Sequence, residues 1–245
     1  MRPWPPSHAC FVTGTDTEVG KTRVSAALVH WFAQKGLRSA GLKPVAAGTE
    51  AKGDLKINED VELLQAASSL QLDPAEICAY QFDTACAPHV AARLENRTMD
   101  RDRLLACAQT AGSRAQALVV EGVGGFCVPL GSNWDSADMA QDLGLPVILV
   151  VGLRLGCINH ALLTAQAVRS RGLRLLGWVG NTVDPHMAWR EDTLAYLRTH
   201  LFNEYQAIDL GCVPWLATTD PATVASHLDS HALNSIFPLE SQDNT

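Results

Sequence analysis

The sequence predicts a single α/β domain with a doubly wound, mainly parallel sheet and helices on both faces. Apolar strand-like segments alternate with helical segments along the chain, an order typical of βαβ units. Segment 147–151 is apolar at every position, as expected of a strand that helices cover on both faces. A chain of 245 residues, 47% of them hydrophobic, is long enough to bury one sizeable core.

The elements follow in order along the chain. Strands are predicted at 9–12, 39–45, 117–121, 146–151, 173–183 and 208–213. Helices are predicted at 24–33, 58–70, 100–116, 157–171 and 187–202. Asn58 is expected to cap the second helix, since its amide oxygen can accept a hydrogen bond from a free N–H of the first turn. Periodicity is weak from about residue 222, and we expect residues 1–8 and about 238–245 to be disordered tails.

A glycine-rich stretch lies between the first strand and the first helix. It reads Gly-Thr-Asp-Thr-Glu-Val-Gly-Lys-Thr (14–22), with five residues between its glycines instead of the usual four. In such a loop the backbone N–H groups and the positive helix end form a cradle for phosphates. Lys21 would reach the terminal phosphates, and the Thr22 hydroxyl would ligate Mg²⁺. The stretch predicts binding of ATP or GTP and narrows the fold to the P-loop NTPase type.

Composition argues against several classes of partner. The formal net charge is −7 and basic residues form no cluster, which disfavours a nucleic-acid surface or a polybasic membrane patch. The N-terminus lacks the apolar core of a signal peptide, and no apolar run approaches the length of a membrane span. Seven cysteines occur without CxxC pairs, an odd number that favours reduced thiols. We therefore expect a cytoplasmic protein that binds neither nucleic acid nor membrane.

Charged residues directly after predicted strands are the next candidates, because ligands of doubly wound sheets bind beyond the carboxyl ends of the strands. Lys43, in Gly-Leu-Lys-Pro-Val, would face a transferring phosphate and offset its developing charge. Glu121 ends Ala-Leu-Val-Val-Glu and precedes Gly-Val-Gly-Gly, as a Walker B-type acid does. Thr22, Glu121 and, as a further carboxylate, Asp60 are the predicted ligands of Mg²⁺, leaving room for phosphate and water oxygens.

Six segments together carry a family resemblance. They are Val-Thr-Gly-Thr-Asp-Thr-Glu-Val-Gly-Lys-Thr (12–22), Gly-Leu-Lys-Pro-Val (41–45), Val-Glu-Gly-Val-Gly-Gly (120–125), Leu-Gly-Cys-Ile-Asn-His (155–160), Gly-Trp-Val-Gly-Asn (177–181) and Val-Pro-Trp-Leu (213–216). From about residue 11 to residue 216 the chain resembles the dethiobiotin synthetases, ATP-dependent cyclo-ligases of biotin synthesis. The five-residue spacing of the phosphate loop is the form found in that family.

The resemblance implies an activity and its partners. In the family reaction, CO₂ joins 7,8-diaminononanoate (7,8-diaminopelargonate) as a carbamate, ATP phosphorylates the carbamate, and the second amine closes the ring. The products are dethiobiotin, ADP and phosphate, and Mg²⁺ is the cofactor. The family forms its substrate site at a subunit interface, which implies a homodimer.

The resemblance also implies the roles of individual residues. Catalytic roles are implied for Lys43, Thr17 and Lys21. Nucleotide contacts are implied for Glu18, Val19, Gly20, Lys21, Thr22, Arg23, Asp60, Glu121, Gly122, Val123, Gly124, Asn181, Thr182, Pro214, Trp215 and Leu216. Among these, Thr22, Asp60 and Glu121 hold Mg²⁺, and Asn181 reads the adenine edge.

Substrate contacts are implied for Ala47, Gly156, Cys157, Ile158 and Asn159. Ala47 stands where the family commonly has serine, so a hydroxyl contact is lost there. Segment 156–159 is expected just before a helix that begins near residue 160, and its free N–H groups could bind the substrate carboxylate of the partner subunit.

Two alternatives differ from the cyclo-ligase in function. An amide-forming synthetase of the cobyrinate type shares the loop class but usually carries an additional glutaminase domain, for which this chain has no room. A partition-type ATPase switch would carry a second lysine early in the loop, where this chain has Thr15-Asp16. Both features favour the cyclo-ligase.

Overall fold

The computed structural model describes residues 4–52 and 55–238. The strands are β1 (His8–Gly14), β2 (Ser39–Leu42), β3 (Val45–Ala47), β4 (Glu50–Lys52), β5 (Leu55–Ile57), β6 (Tyr80–Phe82), β7 (Ala117–Glu121), β8 (Val147–Leu153), β9 (Leu175–Thr182) and β10 (Ile208–Val213). The helices are α1 (Lys21–Gln34), α2 (Glu59–Ala67), α3 (Pro74–Ile77), α4 (Pro88–Leu94), α5 (Arg101–Arg114), α6 (Ser136–Leu143), α7 (Cys157–Ser170), α8 (Arg190–Tyr205), α9 (Pro221–Ala225) and α10 (Ser230–Ile236).

Six strands form one sheet in the order β10-β9-β8-β1-β7-β2, and every pairing in it is parallel. The strand order reverses beside β1, which pairs with β7 on one side and β8 on the other. Connections on the two sides of such a switch point diverge and leave a crevice beyond the strand ends. The predicted fold class, a doubly wound parallel sheet, is confirmed.

Two apolar clusters cover the two faces of the sheet. Along β8, Ile148 and Val150 belong to the cluster with α1, α9 and α10, whereas Val147, Leu149 and Val151 belong to the cluster with α5, α6, α7 and α8. Successive side chains of a strand point to opposite faces. Burial on both faces therefore accounts for the uninterrupted apolar sequence of β8.

The predicted strand 39–45 is in fact two strands. Pro44 has no N–H to donate to a ladder, and β2 ends two residues before it. After the break, β3 leaves the main sheet and pairs in parallel with β6. The break leaves Lys43 at the carboxyl edge of the sheet, where its backbone N donates to the Ile77 carbonyl at 3.0 Å.

Helix α2 ends earlier than predicted, at Ala67 instead of residue 70. The Ser68 hydroxyl donates to the Leu64 carbonyl at 2.7 Å and accepts from the Gly41 backbone N at 3.0 Å, which ties the end of the helix to β2. At the other end, the Asn58 side chain accepts from the Val61 backbone N at 3.3 Å, so the predicted cap is confirmed.

Of two later helix starts, one matches its prediction and the other does not. Helix α7 begins at Cys157, as the predicted helix 157–171 does, so Ile158 and Asn159 belong to its first turn and not to a loop before a helix near residue 160. Helix α8 begins at Arg190, three residues later than predicted, because Trp189 adopts a left-handed conformation with φ 56° that interrupts the helix.

Short elements make up the remaining differences. The sequence analysis did not predict α3, α4, α6, β6, the antiparallel pair β4–β5, or the helices α9 and α10 beyond residue 220. Helices α9 and α10 contribute the buried residues Val224 and Leu233 to the core, and Phe237, directly after α10, adds to it. Among the described residues, no helix combines the length and apolar character that crossing a membrane requires.

The predicted tails fall partly outside the described residues, at 1–3 and 239–245. Within the predicted lead-in 1–8, Trp4 packs against the core and its indole N–H donates to the Leu143 carbonyl at 3.1 Å, while His8 opens β1. Residues 4–8 therefore make more contacts than a disordered tail would.

Candidate active site

The glycine-rich loop connects β1 to α1, as the sequence predicts. Gly20 precedes the helix with φ 88°, and Glu18 is also left-handed, with φ 59°. The Lys21 side chain is buried, and its Nζ donates to the Asp16 carbonyl at 3.0 Å across the loop. Burial penalises the charged form and lowers the pKa of Lys21 to about 8, although Glu121 opposes the shift. An anionic ligand in the loop would stabilise the charged form of Lys21.

Val19 anchors the long loop to the sheet. Its side chain is buried between the ends of β1 and β8, where Gly14 and Gly152 leave room for it. A Cβ added at Gly14 would lie 2.6 Å from Val19 Cγ2, and one added at Gly152 would lie 2.7 Å from Val19 Cγ1. The Val19 carbonyl accepts from Asn181 Nδ2 at 2.9 Å. The loop is therefore fastened by packing at Val19 and by a hydrogen bond from the end of β9.

A compact ionic cluster lies beside the loop. Lys43 Nζ is 2.6 Å from Glu121 Oε1 and 2.6 Å from Asp60 Oδ2. Thr22 Oγ1 donates to the same Glu121 oxygen at 2.8 Å. The side chains of Lys43 and Glu121 are 7% and 0% exposed, while that of Asp60 is 40% exposed and faces the open side. The three predicted metal ligands therefore converge around one lysine.

The electrostatics of the cluster favour its charged forms. Burial alone would lower the pKa of Lys43, but the carboxylates of Glu121 and Asp60 outweigh burial and raise it. Burial alone would raise the pKa of Asp60, but the ammonium of Lys43 outweighs burial and lowers it. Lys43 and Asp60 therefore stabilise each other as an ion pair at neutral pH.

The cluster fits a small hard cation. Thr22, Asp60 and Glu121 offer only oxygen donors, and Glu121 Oε2 is buried with no partner in the described part of the chain. Mg²⁺ is typically held by one or two carboxylates together with substrate phosphates and water. Within the described ranges no group of three or more His, Cys, Asp or Glu side chains could hold a metal alone. Any cation at this site would need oxygens from another molecule.

Asn181 and the loop after β10 form a second part of the site. Asn181 is buried, its Nδ2 is bound to Val19, and its Oδ1 has no partner among the described residues. Trp215 is 57% exposed and lies at the mouth of the cleft. Arg23 Nη1 donates to the Leu216 carbonyl at 3.1 Å and so ties this loop to α1. Asn181 Oδ1 is thus an acceptor available to a base with an exocyclic amine.

One cleft of about 1320 Å³ joins the loop, the ionic cluster and Asn181. The predicted site residues that line it are Thr17, Glu18, Gly20, Lys21, Thr22, Arg23, Lys43, Ala47, Asp60, Glu121, Val123, Gly124, Asn181, Thr182 and Trp215. The predicted site residues that do not line it are Val19, Gly122, Pro214, Leu216, Gly156, Cys157, Ile158 and Asn159.

The cleft also has walls that the sequence analysis did not predict. Helix α2 contributes Glu59, Glu62, Leu63 and Ala66, and the segment 85–88 forms another wall. The α2 residues recur at helical spacing on the side that carries Asp60, so that spacing could have indicated them. Segment 85–88 follows the three-residue strand β6, which is too short to give a periodic signal.

The segment 156–159 lies at the same sheet edge but outside the cleft. It follows β8 and opens α7, with Gly156 at φ 93° before the helix. Just ahead of it, Leu155 is 96% exposed and Arg154 forms an ion pair with Asp16 of the phosphate loop. The Cys157 N–H donates to the Arg154 carbonyl at 3.0 Å, so Ile158 and Asn159 are the first-turn residues whose N–H groups have no acceptor within the helix.

Fold and site together define a P-loop nucleotide-binding enzyme, and the comparisons with known proteins agree. A family model described as an AAA domain matches residues 8–223. The chain is 51% identical over 220 residues to the ATP-dependent dethiobiotin synthetase BioD of Ralstonia nicotianae, covering 90% of this chain and 94% of that relative. It is 49% identical over 228 residues to the protein of the same name from a Janthinobacterium species, covering 91% and 95%. The chain belongs to the family of ATP-dependent dethiobiotin synthetases, which are ligases.

A solved structure gives the same fold. The MinC:MinD cell division protein complex of Aquifex aeolicus superimposes with a TM-score of 0.50 at 11% identity, covering 89% of this chain and 86% of that one. At that identity the likeness shows the fold alone. The predicted resemblance is confirmed, and family membership decides against the cobyrinate-type and partition-type alternatives.

Proposed function

We propose that this enzyme carboxylates 7,8-diaminononanoate with CO₂ and closes the ring to dethiobiotin, using ATP and Mg²⁺ and releasing ADP and phosphate. The observation that carries the proposal is the convergence of Lys43, Thr22, Asp60 and Glu121 beside a phosphate loop, in a chain about half identical to dethiobiotin synthetases. A cytoplasmic location remains a prediction.

The proposed reaction has three steps whose atoms balance. An amine nitrogen attacks CO₂, forms a C–N bond and loses a proton, giving a carbamate. A carbamate oxygen attacks the γ-phosphorus, and ADP leaves. The second amine attacks the carbonyl carbon of the resulting anhydride and loses a proton, and phosphate leaves. Phosphorylation is needed because a carbamate oxygen is a poor leaving group.

The residues of the chain mainly position reactants and offset charge. Lys43 and Lys21 flank the region where charge develops on the phosphoryl oxygens, and Thr17 lies at the same end of the cleft. Thr22, Asp60 and Glu121 would hold Mg²⁺, which when bound neutralises charge on the phosphate oxygens. The free Oδ1 of Asn181 supports recognition of the adenine amino group.

We propose further that two chains share each substrate site. Within one chain, segment 156–159 does not line the cleft, although its N–H groups suit a carboxylate. In a homodimer, this segment of one subunit would bind the distal carboxylate of the diaminononanoate held in the cleft of the other. Ala47 lines the cleft without a hydroxyl, so its contact with substrate would come from the backbone.

The test is phosphate release from ATP and Mg²⁺, with diaminononanoate and bicarbonate each present or omitted, while product is followed by mass spectrometry. We expect release only when both are present, with dethiobiotin formed. Release that is independent of both substrates would contradict the assignment and leave a P-loop ATPase with another output.

A further inference from the structure

A lysine occupies the position between the two carboxylates that are assigned to the metal. Lys43 Nζ contacts Asp60 Oδ2 and Glu121 Oε1 at 2.6 Å each. We propose that Lys43 is a built-in counter-cation that excludes free divalent cations, so that the metal enters only with the nucleotide, whose terminal phosphate draws the Lys43 ammonium away. This inference rests on the metal role given to Thr22, Asp60 and Glu121 in the proposed function.

The charge balance of the cluster supports exclusion of a free cation. Two carboxylates, Asp60 and Glu121, face two ammonium groups, Lys43 and Lys21, and all four interact. A divalent cation would add two positive charges to a largely buried site that is already neutral, which is electrostatically unfavourable. A polyphosphate brings more negative charge than one divalent cation neutralises. Nucleotide and metal bound together therefore change the net charge of the site less than either does alone.

Burial limits how the cation can replace Lys43 between the carboxylates, a replacement called the exchange below. The side chains of Lys43 and Glu121 are 7% and 0% exposed, so Lys43 cannot leave the carboxylates for water without leaving a buried charge unpaired. Asp60, whose side chain is 40% exposed, forms the side of the cluster that is open to the cleft. Lys43 must therefore move along the cleft toward a new anionic partner as the cation reaches Asp60.

One oxygen is already placed to receive the cation. Glu121 Oε2 is buried and has no partner among the described residues, whereas Oε1 accepts from both Lys43 and Thr22. An unpaired buried carboxylate oxygen is costly unless a donor or a cation serves it. Glu121 can thus contact a cation through Oε2 while Oε1 keeps its bond from Thr22.

The experiment measures Mn²⁺ binding to the full chain, as a probe of the Mg²⁺ site, by the loss of the free-ion paramagnetic resonance signal. Without nucleotide we expect weak binding to the wild type and at least about tenfold tighter binding to Lys43→Met, in which two carboxylates face no lysine between them. Mn²⁺ should also raise the Tm of Lys43→Met and leave the wild-type Tm nearly unchanged.

Two further variants control for net charge and ligand number. Lys35→Met makes the same charge change at the far end of α1, about 20 Å from the loop, and should bind Mn²⁺ as weakly as the wild type. The double variant Lys43→Met/Asp60→Asn removes one positive and one negative charge from the cluster. Its Mn²⁺ affinity should therefore return most of the way from that of Lys43→Met to that of the wild type.

Equal Mn²⁺ affinity in Lys43→Met and the wild type would contradict the proposal that Lys43 excludes free divalent cations. Tight Mn²⁺ binding to the wild type without nucleotide would also overturn it, and that measurement needs no variant. If the Tm of the wild type with Mn²⁺ and a non-hydrolysable ATP analogue did not exceed its Tm with the analogue alone, the metal assignment itself would fall. The dethiobiotin assay is independent of all three outcomes, so failure of the exchange and failure of the proposed function are distinguishable.

Discussion

At the scale of single residues, Lys43 and Pro44 determine the arrangement of charges in the site. Pro44 ends β2, which leaves Lys43 at the sheet edge with its side chain turned to Asp60 and Glu121. A buried ammonium is tolerated only with such partners, because an unpaired buried charge is costly. The structural pairing and the proposed catalytic role thus depend on the same two carboxylates.

Lys43→Ala should abolish most of the turnover. Removing a preorganised positive charge from the transferring phosphoryl group is expected to lower kcat about a hundredfold or more. Affinity for ADP, measured without metal, should change by less than about fivefold, since ADP lacks the terminal phosphate to which Lys43 is assigned. Steady-state kinetics and calorimetric titration check the two values, with Lys35→Ala as the control. If Lys43→Ala turned over as fast as the wild type, Lys43 would have no catalytic role.

Buried thiols make the stability of the protein sensitive to alkali. Burial raises the pKa of Cys10 to about 12, so the thiol stays protonated in the folded chain at a pH where it ionises in the unfolded chain. The folded state then binds more protons than the unfolded state above about pH 9, and stability must fall as pH rises from there toward 12.

Cys10→Ala should reduce this alkaline loss. The free energy of unfolding of the wild type should fall more steeply than that of the variant above pH 9, by up to about 1.4 kcal/mol per pH unit. Urea titrations at pH 7, 9 and 10 measure it, with Cys127→Ala, at an exposed site, as the control. If the free energy of unfolding fell equally with pH in the wild type and in Cys10→Ala, the prediction would be contradicted.

At the scale of elements, the sequence predicted what burial and periodicity determine. The strands β1, β7, β8 and β9 were predicted because each carries a run of buried apolar residues, and Glu121 was found because it ends such a strand, whereas the role of Asn181 was implied by the family resemblance. Elements shorter than about five residues, such as β6 and α3, lack a full period and were missed. Segment 85–88, which follows β6 and lines the cleft, was missed for the same reason.

The loop after β10 depends on α1 for its position. Arg23 Nη1 holds the Leu216 carbonyl at 3.1 Å, next to Trp215 at the mouth of the cleft. A hydrogen bond from a charged donor contributes a modest but measurable free energy. The base-binding part of the site is therefore expected to loosen when this bond is lost, while the phosphate loop keeps its geometry.

Arg23→Met tests whether Arg23 supports the base-binding loop without affecting the phosphate loop. ATP affinity should fall about fivefold or more, because the base loop is no longer held. Affinity for inorganic tripolyphosphate, which contacts only the phosphate loop, should stay within about twofold. Competition titrations with a fluorescent nucleotide measure both ligands, and Arg38→Met, at an exposed bond to the Arg114 carbonyl, is the control. Equal losses for both ligands would contradict a role confined to the base loop.

At the scale of the whole molecule, the proposed site is divided between two copies of the chain. Lys43 lines the cleft, whereas Asn159 lies in the first turn of α7, outside it. A variant of either residue would then damage both sites of a homodimer, but a mixed dimer would keep one intact site. Two defective proteins should thus complement each other.

Co-expression of Lys43→Ala and Asn159→Pro chains, the latter without the backbone N–H at 159, should restore turnover to roughly a quarter of the wild-type value, because half the dimers are mixed and each holds one intact site. Separately tagged chains, purified in tandem, isolate the mixed dimer for the assay. Two Lys43→Ala chains carrying the same tags serve as the control. Activity of the mixed dimer at the level of its parents would contradict a shared site.

The central position of β1 has a consequence for the biosynthesis of the chain. β1 leaves the ribosome first, yet its partners are β7 at 117–121 and β8 at 147–153. More than half of the chain must therefore be translated before the phosphate loop has a framework on both sides. Contacts of such long sequence separation form slowly, and the apolar β1 is exposed in the meantime. The nascent chain thus acquires its nucleotide-binding loop late, although that loop is translated before five of the six strands of the main sheet.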